Sequence, residues 1–401
     1  MPDWIPATPG LLRRVSAGAV LEFMRASQAV TVSEVMAATG LTRATVIAVC
    51  EDLMERGWLR ELESDSAAGA ARKGRPARRF ELNERAGVVL GLDIGYAKAS
   101  VVVSDLRGAT VGRASRPLAT AGGAAERLAV IDEAALAALE EAGADPREVL
   151  AACAGLAAPV DRHGTVLATQ EFWGLFDIGL KTALRDLRGW TVLLENDANL
   201  AALGERWRGT AAGIDDVVVI LASERLGSGV VEGGRLVHGS RGSAGELAYL
   251  DLVEGVGDTF GVAHLARTWA AEALAGDAPT ELRRIPAGRL AAEDVFAAAA
   301  GGDPVAVRIL DRLADRMARV IGTVATMLNP ELVVIGGGVA NSAGPMLPDI
   351  RSRLAQFTAT PPRVELSPLG EAIVAAGAVR CALDYVERNS LDLELAAPDR
   401  T

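Results

Sequence analysis

The chain has 401 residues, half of them apolar, and a formal charge of −11. That length exceeds what one core usually supports, so two or three compact units are expected. Apolar runs stay below the ~18 residues needed to cross a bilayer, and the first residues lack the basic-then-apolar pattern of a secretory signal. The expectation is a cytoplasmic protein with no membrane partner. Cys50, Cys153 and Cys381 are far apart and odd in number, which argues against a disulfide framework and against paired metal ligands; they read as small buried hydrophobes. The acidic total argues against a general nucleic-acid coat, yet residues 1–82 hold 11 Lys and Arg against 10 Asp and Glu. That is a net of +1, which leaves −12 for the remainder, and five of the eleven cations fall between positions 72 and 79.

Apolar residues Leu12, Val15, Ala19 and Phe23 recur at helical spacing within positions 11–26. Thr31-Val32-Ser33-Glu34 then has the spacing of a capping box that opens a second helix, which stops at Gly40. Thr42 caps a third, with Val46, Val49, Cys50, Leu53 and Met54 as its buried stripe. Three short helices around a tight turn make a helix-turn-helix whose third helix reads the major groove. Positions 57–62 and 79–82 read as two strands around a wing at 64–79.

Thr42, Arg43 and Thr45 are short polar groups plus one cation away from the stripe, which suits phosphate and base-edge contacts. Arg72, Lys73 and Arg75 lie beside Gly74 and Pro76, a slim basic run able to enter a narrow minor groove. The same patterns also admit a three-helix protein-binding module and a solvated linker.

Beyond position 87 the pattern becomes α/β. Strands are expected at 88–94, 99–106 and 110–114, a helix at 124–142, and buried strands at 149–154, 191–194 and 217–221. A hairpin-like pair follows at 229–231 and 235–237. The remainder is mostly helical (262–274, 291–300, 304–328), with a strand at 332–335 and a closing helix at 372–386. Strand sets followed by helices, occurring twice, predict two lobes around a ligand cleft.

Several long motifs then resemble the ROK family of sugar kinases and sugar-responsive repressors, within the actin-like ATPase (ribonuclease H-like) fold. They are Gly40-Leu41-Thr42-Arg43-Ala44-Thr45-Val46, Gly74-Arg75-Pro76, Glu195-Asn196-Asp197-Ala198-Asn199, Gly242-Ser243-Ala244-Gly245-Glu246 and Ile335-Gly336-Gly337-Gly338-Val339. The resemblance implies a winged helix-turn-helix at 1–82 and a two-lobed kinase-like domain at 86–390, with a cleft near 195–200 and 223–246. It implies sugar contacts from Asn196, Asp197 and Glu246, and assembly as a homodimer or homotetramer. In a kinase Asp197 would be the general base. Read without the resemblance, Asn196 and Asp197 cap the helix that follows them and Glu246 is a loop residue.

The departures from the kinase pattern bear on function. The first phosphate loop reads Asp93-Ile94-Gly95-Tyr96-Ala97-Lys98, with Tyr96 where the kinases carry a second Gly. The second reads Ser223-Glu224-Arg225-Leu226-Gly227, with a carboxylate where phosphate oxygens would lie. Like charges about 4 Å apart cost ~4 kcal/mol at a surface-like dielectric. The family's zinc-binding Cys run is missing from 255–264, and no His follows Glu246 in Gly245-Glu246-Leu247-Ala248-Tyr249. The expected function is a sugar-responsive regulator, a repressor that binds operator DNA and a sugar or sugar derivative. No catalytic residue, metal or cofactor is expected. The alternatives are an ATP-dependent sugar kinase with an appended DNA-binding domain and a DNA-binding scaffold that needs no ligand. The basic linker near Arg75 is expected to carry ligand-driven closure to the reading heads.

Overall fold

In the computed structural model α1 (Pro9–Arg25) opens behind Thr8, whose hydroxyl accepts from the Leu11 amide. The structure describes residues 8–62, 78–119, 122–286 and 288–396. After β1 (Val30–Thr31), the Thr31/Glu34 capping box starts α2 (Val32–Thr39), which ends at Gly40 with φ of 70°. Thr42 caps α3 (Arg43–Glu55), and β2 (Leu59–Leu62) and β3 (Arg79–Leu82) complete a sheet in the order β1-β3-β2. Two residues of β1 carry no periodicity, so the third strand was not expected. The wing between β2 and β3, with Arg72, Lys73 and Arg75, lies outside the described residues.

The expected apolar stripe of α1 is shifted. Ala17, Val20, Leu21 and Met24 are buried, whereas Leu12 and Val15 are 55% and 63% exposed. Both sets have helical spacing; docking against the rest of the chain selects the second.

The first lobe holds β4 (Val88–Ile94), β5 (Lys98–Ser104), β6 (Thr110–Pro117), α4 (Ala124–Ala142), β7 (Val149–Leu156), α5 (Glu171–Gly174), α6 (Leu180–Arg188) and β8 (Val192–Asn196). Its sheet runs β6-β5-β4-β7-β8, antiparallel at β4–β5–β6 and parallel at β4–β7–β8. Then α7 (Asp197–Arg208) leads into the second lobe. That lobe holds β9 (Val217–Leu221), β10 (Gly227–Glu232), β11 (Arg235–Leu236), α8 (Val262–Ala275), α9 (Ala292–Ala300), α10 (Pro304–Leu328), β12 (Leu332–Gly336), α11 (Leu347–Leu354) and β13 (Arg363–Leu366). Its sheet repeats the plan as β11-β10-β9-β12-β13. The chain closes with α12 (Ile373–Asn389). Short α6 and α11 and edge strand β13 were not foreseen; polar residues interrupt their apolar runs.

Helices α7 and α12 lie between the two sheets, α12 against β4 and β7 and α7 against β9 and β10. They approach through glycine. A Cβ on Gly204 would lie 2.6 Å from the Ile373 carbonyl oxygen, and one on Gly377 would overlap the Leu200 carbonyl.

The N-terminal three-helix head is docked on this helix pair. Val20, Trp58 and Leu82 join one apolar cluster with Leu383 and Val386 of α12. Arg25 pairs with Glu387 at 2.6 Å, and Arg380 bonds both Glu387 and Asp384. The Trp58 indole donates to the Ser390 carbonyl at 3.0 Å, and Arg14 pairs with Asp392 at 2.8 Å. Arg107, beyond β5, donates to the carbonyls of Met24, Arg25 and Ser27, at and just past the carboxyl end of α1, where carbonyls run short of helical partners. Among the described residues no single helix is long and apolar enough to cross a membrane; α2 and α3 together have the length but meet at 110°.

Overpacking a tight core contact costs about 1–3 kcal/mol. Gly377→Ala is therefore expected to lower the melting temperature, while Gly10→Ala, within α1 and with nothing within 4 Å of its added Cβ, does not lower it. An unaltered melting temperature for Gly377→Ala would contradict the packing described.

Candidate ligand cleft and reading head

Strand β8 ends where α7 begins, and this junction gathers the candidate ligand residues. The Asn196 carboxamide oxygen accepts from the Asn199 amide at 3.1 Å, so Asn196 is the N-cap, and its nitrogen donates to the Ala158 carbonyl at 3.2 Å. With both ends engaged, Asn196 positions its neighbours. Asp197 is the first residue of α7, its carboxylate accepting from the Ala198 amide at 2.8 Å. Glu195 accepts from the Asn196 amide, from the Asn199 side chain and, at 2.8 Å, from His238. That bond holds the His238 imidazole above its ordinary pKa.

Glu246 reaches the same region on a loop fixed from both sides. Ser228 of β10 donates to the Gly245 carbonyl at 2.6 Å, and Arg162 of the first lobe donates to the Gly239 carbonyl at 2.9 Å. Gly242, with φ of 76°, approaches Val160 so closely that a Cβ would overlap its carbonyl.

Sequence reasoning missed Asp93 at the end of β4, which joins Asp197 and Glu246. Burial pushes the Asp197 carboxyl up to about 8, with Asp93 and Glu246 adding to the shift. Burial raises Glu246 to about 7. Burial also raises Asp93 to about 6, which Lys98 opposes. Lys98 itself pairs with Glu371 at 2.8 Å, tying the first loop to the segment before α12.

The two loops that the resemblance compares with phosphate cradles meet at one aromatic group. Arg127 is only 3% exposed and donates to the carbonyls of Gly95 and Tyr96 at 3.2 and 3.3 Å, which fixes the first loop. Position 127 shares the buried face of α4 with Ile131, Ala134 and Ala138, so a cation on an apolar stripe was the available signal. The Tyr96 ring lies 6.0 Å from that of Phe172 in α5. From the second loop, Arg225 places its guanidinium 4.9 Å from Phe172 and 5.8 Å from Phe260, and bonds Thr259 at 2.9 Å. Glu224 points instead to Arg267, at 2.7 Å. Trp173, beside Phe172, packs half-buried against the first-lobe core.

The segment compared with the family's zinc centre does not fit a metal. Positions 255–264 contain no Cys, and buried Arg316 holds them by donating to the Val256 carbonyl at 2.9 Å and to the Asp258 carbonyl and carboxylate. Among the described residues no group of three His, Cys, Asp or Glu is arranged for a metal ion.

On the head, Thr42, Arg43 and Thr45 share the start of α3. The Thr42 hydroxyl accepts from the Thr45 amide at 3.3 Å and bonds the Thr45 hydroxyl at 2.8 Å. Arg43 is exposed. Among the described arginines of the head, it alone has neither an ion pair nor a hydrogen bond to a protein group; Arg13, Arg56, Arg60 and Arg78 all meet carboxylates.

An acid with a raised folded pKa binds its proton more tightly when folded, so its contribution to stability is complete below the unfolded value near 4 and is lost as pH rises to about 8. Asp197→Asn removes that loss. The variant should melt above the parent, by a wider margin at pH 8.5 than at pH 5.5, and an equal margin at both would contradict the carboxylate cluster.

The ROK family pattern matches residues 89–382, and the IclR helix-turn-helix domain matches residues 17–63. A glucokinase of Halalkalibacterium halodurans is 31% identical over 199 residues, which are 46% of this chain and 60% of the relative. The chain thus spans less than two thirds of that enzyme. The xylose repressor of Caldicellulosiruptor bescii is 21% identical over 388 residues, 92% of this chain and 95% of the relative. The crystal structure of a ROK family transcriptional regulator, a homologue of the E. coli MLC protein, superposes with a TM-score of 0.76 at 22% identity over 95% of this chain and 98% of that one. A two-lobed body whose family pattern runs from β4 into α12, preceded by an IclR-type helix-turn-helix, makes this chain a member of the ROK family.

Proposed function

We propose that the chain is a sugar-responsive transcriptional repressor whose head binds operator DNA and whose cleft recognises a sugar or sugar derivative without phosphorylating it. The observation that carries this reading is the alignment of 92% of the chain, which reaches into the head, with 95% of a repressor, while the glucokinase matches under half of it. One feature of the site supports it. Phe172 stands between Tyr96 and Arg225, where the resemblance would put phosphates; the Glu224 carboxylate, expected to repel phosphate, is instead paired with Arg267. On this reading Asp197 and Glu246 orient sugar hydroxyls, and Asn196 holds Asp197 in place. Carboxyls that retain their protons near neutrality both donate to and accept from a polyol. The protein works in the cytoplasm as a dimer or tetramer, with Arg43 and the basic run of Arg72, Lys73 and Arg75 on the DNA backbone or in its grooves.

The second reading, a kinase with an appended head, rests on the retained Asp197 and the Gly336-Gly337-Gly338 turn. Titration calorimetry with ATP and magnesium separates the two: no heat and no phosphoryl transfer are expected, whereas transfer abolished by Asp197→Asn would establish the kinase. In a thermal-shift screen of pentoses, hexoses, N-acetylhexosamines and their phosphates, a ligand at ~100 times its Kd adds ~2.7 kcal/mol of stability. Glu246→Ala should remove that shift, and retention of the full shift would exclude Glu246 from the site. Arg43→Ala should weaken DNA binding in a gel shift at fixed salt; unchanged affinity would contradict the placement of the reading helix.

A further inference from the structure

The exposed face of α3 presents an unusually short list of chemical groups. Its first residue, Arg43, is a cation without a protein partner among the described residues. Ala44 and Ala48, one turn apart, are exposed and offer only methyl groups. The Thr42 and Thr45 hydroxyls are bonded to each other at 2.8 Å. Further along, the exposed Glu51 carboxylate accepts from Arg78 at 3.0 Å. The opposite face, with Val46, Val49, Cys50 and Leu53, is buried and fixes which side meets a groove.

In the major groove guanine shows two acceptors that match a bidentate arginine, and thymine alone among the four bases shows a methyl group that favours apolar contact. Asn, Gln or a free carboxylate would be needed to read adenine or the cytosine amino group, and the first two turns of α3 expose none of these. We propose that the reading helix selects a guanine next to thymines, with Arg43 on the guanine edge and Ala44 and Ala48 against thymine methyls. The inference deepens the DNA-binding reading above and rests on it. The spacing agrees: four residues at 1.5 Å rise separate the two alanines by about 6 Å along the helix, close to two base steps of about 3.4 Å. Glu51, held by Arg78, is kept from the cytosine amino group, and the exposed Glu55 sits only on the last turn of α3, so over the first two turns the specificity is carried by one hydrogen-bonding cation and two methyl groups.

The test uses the full chain and a pool of duplexes with a randomised centre. Rounds of binding and recovery at fixed salt should enrich half-sites with a guanine beside thymines. In a recovered duplex, replacing the contacted guanine by 7-deazaguanine should weaken binding about tenfold. Replacing only the thymine under Ala48 by deoxyuridine, which removes only the methyl, should weaken binding to the parent but not further to Ala48→Ser, whose helix remains intact by circular dichroism, whereas deoxyuridine under Ala44 should weaken both. Deoxyuridine tolerated at every position, or an Arg43→Ala variant that loses affinity equally for all duplexes, would overturn the base assignment while leaving DNA binding in place. Failure to retain any duplex at low salt would instead overturn the DNA-binding reading itself.

Discussion

The contact between α7 and α12 is the constraint on which the other features depend. Each helix backs one of the two sheets, and the pair approaches through Gly204 and Gly377, where backbone meets backbone. The amino end of α7 carries Asn196 and Asp197 into the cleft. The amino end of α12 follows Glu371, which holds Lys98 of the first loop, and its carboxyl end carries Glu387, which holds Arg25 of the head. The packed pair thus reaches the first loop at one end and the head at the other. Arg107, Trp58 and Arg14 fasten the head to the body independently of the basic linker, and the expected part of that linker in carrying closure to the head falls outside the described residues.

The cleft's electrostatics follow from the same geometry. Bringing β4, the β8–α7 junction and the 238–246 loop together places three carboxyl groups in one confined region, and burial raises all three pKa values. A neutral, hydroxyl-rich ligand suits partly protonated carboxyls better than a polyanion does. The cations nearby are engaged elsewhere: Lys98 by Glu371, Arg127 by loop carbonyls, and Arg225 by Thr259 and two aromatic rings.

Much of this organisation was legible in the sequence. Capping residues marked the starts of α2 and α3, and long apolar runs marked β4, β7, β9 and β12, since caps and buried strands are local signals. The Asn196, Asp197 and Glu246 positions came from a resemblance, and the structure adds their division of labour: Asn196 is a cap, and Glu195, which had drawn no attention, gathers Asn199 and His238. What the sequence concealed is tertiary. No local pattern tells which of two helical stripes on α1 will be buried, because α12, more than 350 positions away, makes that choice. Nor does spacing reveal that Phe172 and Arg225, from different lobes, meet across the cleft.

A ligand alters DNA affinity only if it binds two arrangements of the head and body differently, and any such coupling is reciprocal. The most direct measurement is fluorescence anisotropy of a labelled duplex recovered by selection, titrated with the full chain with and without a saturating sugar identified by thermal shift. The account predicts a changed DNA affinity in the parent that disappears when Arg25→Ala and Glu387→Ala cut the tie between α1 and α12. An identical affinity with and without the sugar, in a chain that binds both, would contradict it.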